Sequence, residues 1–282
     1  MKVVSPFSWD IVVTGDKTLE FYDNGTLTHK KEIPEATKLY SVAYDPVHDR
    51  VLFCDHIDPN VSISSYDLTT KQIQHLLTKE TDGFNRSTVD FDPVTQLLFL
   101  REGYTITSFS LNPEASKKAR DGIRIVQLPM PHFCEDIAVD SYGGYIYWIT
   151  DNEIERIRFD GSGRELLIRE NVLFRLSLAI DLDAQKIYWI EDKEVLTPKT
   201  VQTADLRGQN RTTFYTIPDF SFPSSLAVTK DYIYWQDYER VGTWQLPKDP
   251  SNLVPRKLEG ISSEICWACQ RVATKYTLRE LN

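Results

Sequence analysis

The sequence has no run of 18 or more apolar residues, which excludes a membrane-spanning helix. Its opening, Met1-Lys2-Val3-Val4-Ser5-Pro6-Phe7, has no apolar leader core, so a secretory signal is either absent or already trimmed. Basic residues are in deficit: 32 Lys and Arg stand against 41 Asp and Glu, a net charge of −9. That excludes a sequence-independent nucleic-acid binder, which needs a basic footprint. No stretch carries the apolar period of a long amphipathic helix. Catalytic signatures are missing as well. There is no Gly-x-Ser-x-Gly elbow, no His-Glu-x-x-His pair and no Walker loop. None of the five histidines shares a repeat position with a carboxylate partner, and no metal site or cofactor is implied.

Cysteine is scarce. Cys54, Cys134, Cys266 and Cys269 allow three pairings, and spacing does not choose among them. Cys266-Trp-Ala-Cys269 has redox-motif spacing, but no βαβ pattern surrounds it, so structural disulfides or plain thiols are expected. Asn-x-Ser/Thr sequons are in excess. Asn24, Asn60, Asn85 and Asn210 make four where chance gives about one or two. Glycosylation at these positions, and an extracellular or secreted location, are the expectations.

What is present is the composition of a folded protein, 41% hydrophobic and 12% aromatic. A chain of this length can bury roughly 75% of its unfolded surface without a metal or disulfide staple. A repeat fills it. Ser41-Val-Ala-Tyr-Asp, Asp136-Ile-Ala-Val-Asp, Ser177-Leu-Ala-Ile-Asp and Ser225-Leu-Ala-Val-Thr each open an apolar strand, a polar turn and a second strand ending in an aromatic pair. A degenerate copy runs from Ser87 to Phe99 with a one-residue gap that sequence does not place. The anchors Phe53, Phe99, Trp148, Trp189 and Trp235 are 46, 49, 41 and 46 residues apart. That is the length of a four-stranded propeller blade. Asp10–Gly25 reads as a second and third strand without a first, and Ser263–Cys269 reads as a first strand. Joined, they make a sixth blade. The expectation is all-β: one domain over 1–282, a six-bladed β-propeller of four-stranded blades, closed by pairing of its N- and C-terminal strands.

Tyr147-Trp148, Tyr188-Trp189 and Tyr234-Trp235-Gln236-Asp237 resemble the YWTD β-propellers of the low-density lipoprotein receptor family. The motif is altered elsewhere, to Leu52-Phe53-Cys54-Asp55, Leu98-Phe99-Leu100-Arg101 and Tyr188-Trp189-Ile190-Glu191. Divergent insect propellers, secreted or receptor-linked, are of this general kind. The resemblance implies an extracellular protein that binds a protein or peptide segment of a partner around one mouth of the central channel. The motif aromatics themselves read as packing between wedge-shaped blades, and an Asp there can accept neighbouring backbone N–H groups.

A ligand site needs its own argument. Five residues before the central Ala stand Lys38, Phe133, Phe174 and Phe222, with Phe84 if the gap falls late. This phenylalanine arc would stack on a flat or apolar ligand. Polar neighbours on the same face are Arg86, Glu135, Arg175, Asn152, Glu191, Asp192, Asp237 and Tyr238. Packing of these rings beneath the loops is the competing expectation. Two functional alternatives stay open. One is a soluble carrier of a small aromatic or lipophilic molecule, such as a pigment. The other is a calcium-dependent propeller hydrolase, for which too few carboxylates converge from different blades.

Overall fold

A computed structural model describes residues 6–57, 60–80, 87–130, 133–169, 174–193, 197–218, 221–237, 239–240, 242–258 and 268–270. Six antiparallel sheets of four strands are arranged as the blades of a propeller. Blade 2 is Leu39–Asp45, Arg50–Ile57, Asn60–Asp67 and Ile73–Glu80. Blade 3 is Ser87–Asp92, Leu97–Glu102, Thr105–Ser110 and Ile123–Gln127, with the short helix Lys117–Asp121 before its last strand. Blade 4 is Asp136–Asp140, Tyr145–Ile149, Glu153–Arg158 and Glu165–Arg169. Blade 5 is Phe174–Asp181, Lys186–Asp192, Thr200–Asp205 and Thr212–Thr216. Blade 6 is Pro223–Val228, Tyr232–Asp237, Gly242–Pro247 and Arg256–Lys257. Blade 1 joins Ile11–Thr14, Thr18–Asp23 and Thr26–Glu32 to Ala268–Gln270, which lies against the first of them with Val12 opposite Cys269. Among the described residues no helix is long and apolar enough to cross a membrane.

The alternation of each strand pair puts one side chain toward the preceding blade and the next toward the following one. Trp148, Trp189 and Trp235 are essentially without exposure and pack back onto blades 3, 4 and 5. The tyrosines before them, Tyr147, Tyr188 and Tyr234, pack forward. These aromatics are therefore core.

Blade 3 corrects the sequence alignment. Val42, Ile137, Leu178 and Leu226 pair with the anchor aromatic of their blade, and in blade 3 that pair is Val89 and Leu100. Leu100 packs back onto blade 2, whereas Phe99 packs forward with Trp148. The second anchor is thus Leu100, not Phe99, and the first two spacings become 47 and 48 residues. Asp90 takes the place held by Ala43, Ala138, Ala179 and Ala227. Aromaticity misled the alignment because Phe99 fills the tyrosine position.

The inner strands of blades 2–5 end on an aspartate that caps the turn. Asp45 accepts from the Val47 N–H at 3.0 Å, Asp92 from Thr95 at 2.7 Å, Asp140 from Tyr142 at 3.0 Å and Asp181 from Ala184 at 2.9 Å. Blade 6 has a tighter turn in which Thr229 Oγ1 accepts from the Tyr232 N–H at 3.1 Å. This accounts for its copy being two residues shorter.

Cys54 and Cys134 are buried free thiols in different inter-blade cores, so neither enters the expected disulfides. Desolvation raises both, Cys134 to about 12, which leaves them unreactive thiols at neutral pH. Cys266 lies outside the described residues.

Candidate functional site

The turns between second and third strands and the crossovers between blades lie at one mouth of the propeller, because adjacent strands run antiparallel. The predicted site residues are carried by those segments. Lys38 is half-buried. Its backbone N–H donates to Asp55 at 2.7 Å, and that carboxylate also accepts the Thr37 N–H at 3.0 Å. Asp237 does the same in blade 6, accepting the Phe222 and Arg240 N–H groups at 3.1 Å each. Both aspartates occupy the last position of the four-residue motif, and they shape the crossover loops as the sequence suggested. Asp237 is fully buried, so it holds the loop that presents Phe222 rather than standing on the surface itself.

Phe222 is 50% exposed, and the Lys199 ammonium lies 5.3 Å from its ring centroid. Lys199 is in turn 3.5 Å from Asp192. One open aromatic ring, one cation and one anion thus meet at the seam of blades 5 and 6. Phe133 is half-buried and stacks on Tyr104 of blade 3, with centroids 4.6 Å apart. One face of its ring is taken by that stack. Met130, on the same crossover, is 79% exposed. Glu135 is fixed through its backbone: its N–H donates to the Ile149 carbonyl at 2.8 Å and its carbonyl accepts from Arg101 at 2.7 Å. Asn152 sits half-buried in the second turn of blade 4. Glu191 points away from the mouth, gripped by Arg211 at 2.7 Å and by the Trp189 indole N–H at 3.1 Å.

Phe174 and Arg175 lie on the inner strand of blade 5, opposite Asp192 and Glu191. Phe84, Arg86, Tyr238 and the sequon Asn85 lie outside the described residues. Counted back from Asp90, Phe84 is one residue out of step with Phe133, Phe174 and Phe222. Of the remaining sequons, Asn24 and Asn210 are exposed and Asn60 is half-buried. The Asn24 side-chain oxygen accepts from the Tyr232 hydroxyl at 2.7 Å.

Sequence reasoning missed a belt of hydrogen bonds around the channel. Ser41 Oγ accepts from the Val89 N–H at 3.0 Å, Asp136 from Leu178 at 3.1 Å, and Ser177 from Leu226 at 2.8 Å. Each bond runs from one inner strand to the next. Ser177 also donates to Asp136 at 2.6 Å. The serines two residues before the central Ala had read as small residues that let strands crowd the axis. Their shared repeat position, combined with the strand order, was the available signal. At the seam of blades 3 and 4 the belt changes. The Thr88 hydroxyl is taken by the buried Arg101 guanidinium at 2.6 Å. Asp90 instead accepts the Val139 N–H at 2.7 Å. The cavity between the inner strands of blades 2–6 has a volume of about 120 Å³. That is below the ~300 Å³ at which ordinary small-molecule pockets begin.

No family model matches the chain. It is similar to the protein cueball of Drosophila virilis, 28% identical over 88% of this chain and 40% of the relative. It is also similar to cueball of Aedes aegypti, 26% identical over 84% of this chain and 37% of the relative. The chain thus spans about two-fifths of the length of these curated relatives. Among solved structures, a chain in a nidogen/laminin complex superposes with a TM-score of 0.73 at 13% identity, covering 93% of this chain and 97% of that one. TolB from Acinetobacter baumannii gives a TM-score of 0.69 at 13% identity, covering 94% of this chain and 67% of that one. At this identity the likeness is one of fold, and the fold common to all three is the β-propeller.

Proposed function

We propose that the chain is an extracellular, non-enzymatic ligand-binding propeller of the YWTD type, and that it takes a protein or peptide segment at the crossover mouth. The observation that carries this is the half-exposed Phe222 ring beside Lys199 and Asp192. An open aromatic ring backed by a largely buried ion pair suits a polypeptide, where such rings supply contact area. The exposed Met130 extends the apolar surface of the same mouth. A propeller of the same fold in a nidogen/laminin complex is consistent with this use of the scaffold.

The carrier alternative is weaker on two counts. The cavity along the inner strands is about 120 Å³, and at the mouth one face of Phe133 is engaged by Tyr104. The hydrolase alternative is weaker because Asp90 and Asp136, the carboxylates lining the channel among the described residues, direct oxygens at backbone N–H groups.

The test places a photo-crosslinking residue at Met130 in the chain secreted from insect culture, in its natural fluid. A discrete protein adduct, competed by unlabelled chain but not by the folded Phe222→Ser chain, supports the reading. A small molecule retained in native mass and absorbance spectra, and lost from Phe133→Ser, would replace it with the carrier.

A further inference from the structure

Among the described residues that wall the channel, the carboxylates are Asp90 and Asp136, from adjacent blades, and no Lys, Arg or His joins them. The rest of the wall is hydroxyl, backbone, aliphatic and aromatic surface, the last from Phe91 and Tyr44. Its phenol, Tyr44 of blade 2, donates to Asp49 at 2.7 Å. Blades 5 and 6 present uncharged residues only. Asp90 therefore faces Asp136 across the seam and Asp92 two residues along its own strand, and both raise it. The nearest guanidinium, Arg101, sits behind the wall and acts on Asp136.

Asp90 also replaces the repeat's alanine at the single described seam where the belt is built differently. Its two oxygens accept the Phe91 N–H at 2.8 Å and the Val139 N–H at 2.7 Å. The second of these is a direct link from blade 3 to blade 4. The geometry points to a protonation-sensitive seam: Asp90, an acid in a channel wall with no cation facing it, makes the contact between blades 3 and 4 depend on pH across the neutral range.

The direction follows from linkage. Asp90 is half-buried in the channel wall, and desolvation there, with the like charges of Asp136 and Asp92, raises its carboxyl from 3.8 to about 7. Between those values the folded chain holds a proton that the unfolded chain has released. Stability from this group is therefore greatest at the acid end of that window, falls as pH rises through it, and is fully lost above about 7. This is opposite in sign to a salt-bridged carboxylate, which loses stability on acidification.

Thermal unfolding of the full chain from pH 5 to 8.5 at fixed ionic strength, beside Asp90→Asn and Asp136→Asn, tests the inference. Groups other than Asp90 and Asp136 contribute alike to all three chains; Asp136, itself raised by burial, is coupled to Asp90, so the Asp136→Asn chain reports Asp90 without that partner. The unsubstituted chain should lose several degrees of Tm relative to Asp90→Asn between pH 5 and 8. Asp136→Asn, which removes a like charge, should shift the midpoint of that loss to lower pH. Parallel pH profiles for the unsubstituted and Asp90→Asn chains would overturn the seam. Carboxyl NMR of the unsubstituted chain tests the same point without a variant. One aspartate should titrate near neutrality and move the Val139 amide with it, and the absence of any aspartate titrating above pH 6 would also overturn the proposal.

Discussion

The seam between blades 4 and 5 and the seam between blades 3 and 4 solve the same packing problem with different chemistry. At the first, Trp189 packs back onto Tyr147, and Asp136 accepts the Leu178 N–H while Ser177 donates to the same carboxylate. Asp136 and Ser177 stand at the same repeat position of adjacent blades and satisfy each other. At the second, Trp148 packs back onto Phe99, but the belt position is a threonine whose hydroxyl is spent on Arg101, and an acid two residues on makes the bond between blades. The hydrophobic half of a blade interface is thus tightly repeated, while its polar half can be rebuilt by moving the acceptor along the strand. A wedge-shaped interface fixes side-chain volume strictly, because interiors are close-packed. A backbone N–H asks only for an acceptor within reach.

The largest effect should come from breaking the one seam made by both chain ends. Truncation after Leu258 removes Ala268–Gln270, the described inner neighbour of Ile11–Thr14. The exposed inner edge and the lost sheet should abolish a single sharp thermal transition and expose surface that binds a hydrophobic dye. A truncated chain that still melts cooperatively near the full-length Tm would show that the terminal pairing does not hold the ring.

Next in size, Trp189→Ala should cost about 3–5 kcal/mol, since a fully buried indole leaves a cavity that two packed sheets cannot fill. Leu100→Ala at the corresponding place in blade 3 should cost less, about 2–5 kcal/mol, for the smaller volume removed. Urea unfolding of both chains checks the order. An equal or larger cost at Leu100 would mean that the irregular blade is the more tightly packed of the two.

The legible part of the structure follows the same division. Blade count and blade order were readable because large aromatics recur at blade length. The register of blade 3 was not, because Phe99 mimics an anchor one residue before Leu100 and only strand pairing separates them. The belt was hidden for a different reason. A serine read alone is a small polar residue, and its role appears only when the neighbouring blade brings Val89 or Leu226 to its hydroxyl. At the mouth, the motif aspartates were anticipated as loop acceptors, and Asp55 and Asp237 are. Sequence could not tell that Phe222 stays half open while Phe133 is covered, because Tyr104 comes from another blade.

Smaller again is the belt itself. Ser177→Ala leaves the buried Leu226 N–H without its acceptor and takes one donor from Asp136, at a cost of about 1–3 kcal/mol. Hydrogen exchange at the Leu226 amide should quicken beyond the change in global stability, which a loss of packing alone would not produce. Unchanged protection at Leu226 would show that the N–H finds another partner and that the belt is incidental.

The smallest net effect belongs to Asp90→Ala, which restores the residue that the other described copies carry, and its sign should depend on pH. With Asp90 protonated at pH 5, alanine deletes the bonds from Phe91 and Val139, costing about 1–3 kcal/mol. At pH 8 the same bonds are lost, but so is a carboxylate that must ionise beside Asp136 with no cation in the described wall. Relief of that ionisation offsets the lost bonds, so the variant should match or exceed the unsubstituted chain. The crossing of the two curves is what separates a titrating seam from an ordinary hydrogen bond. An acceptor of fixed charge would give alanine the same deficit at both pH values, and the irregular seam would then be only a relocated copy of the regular one.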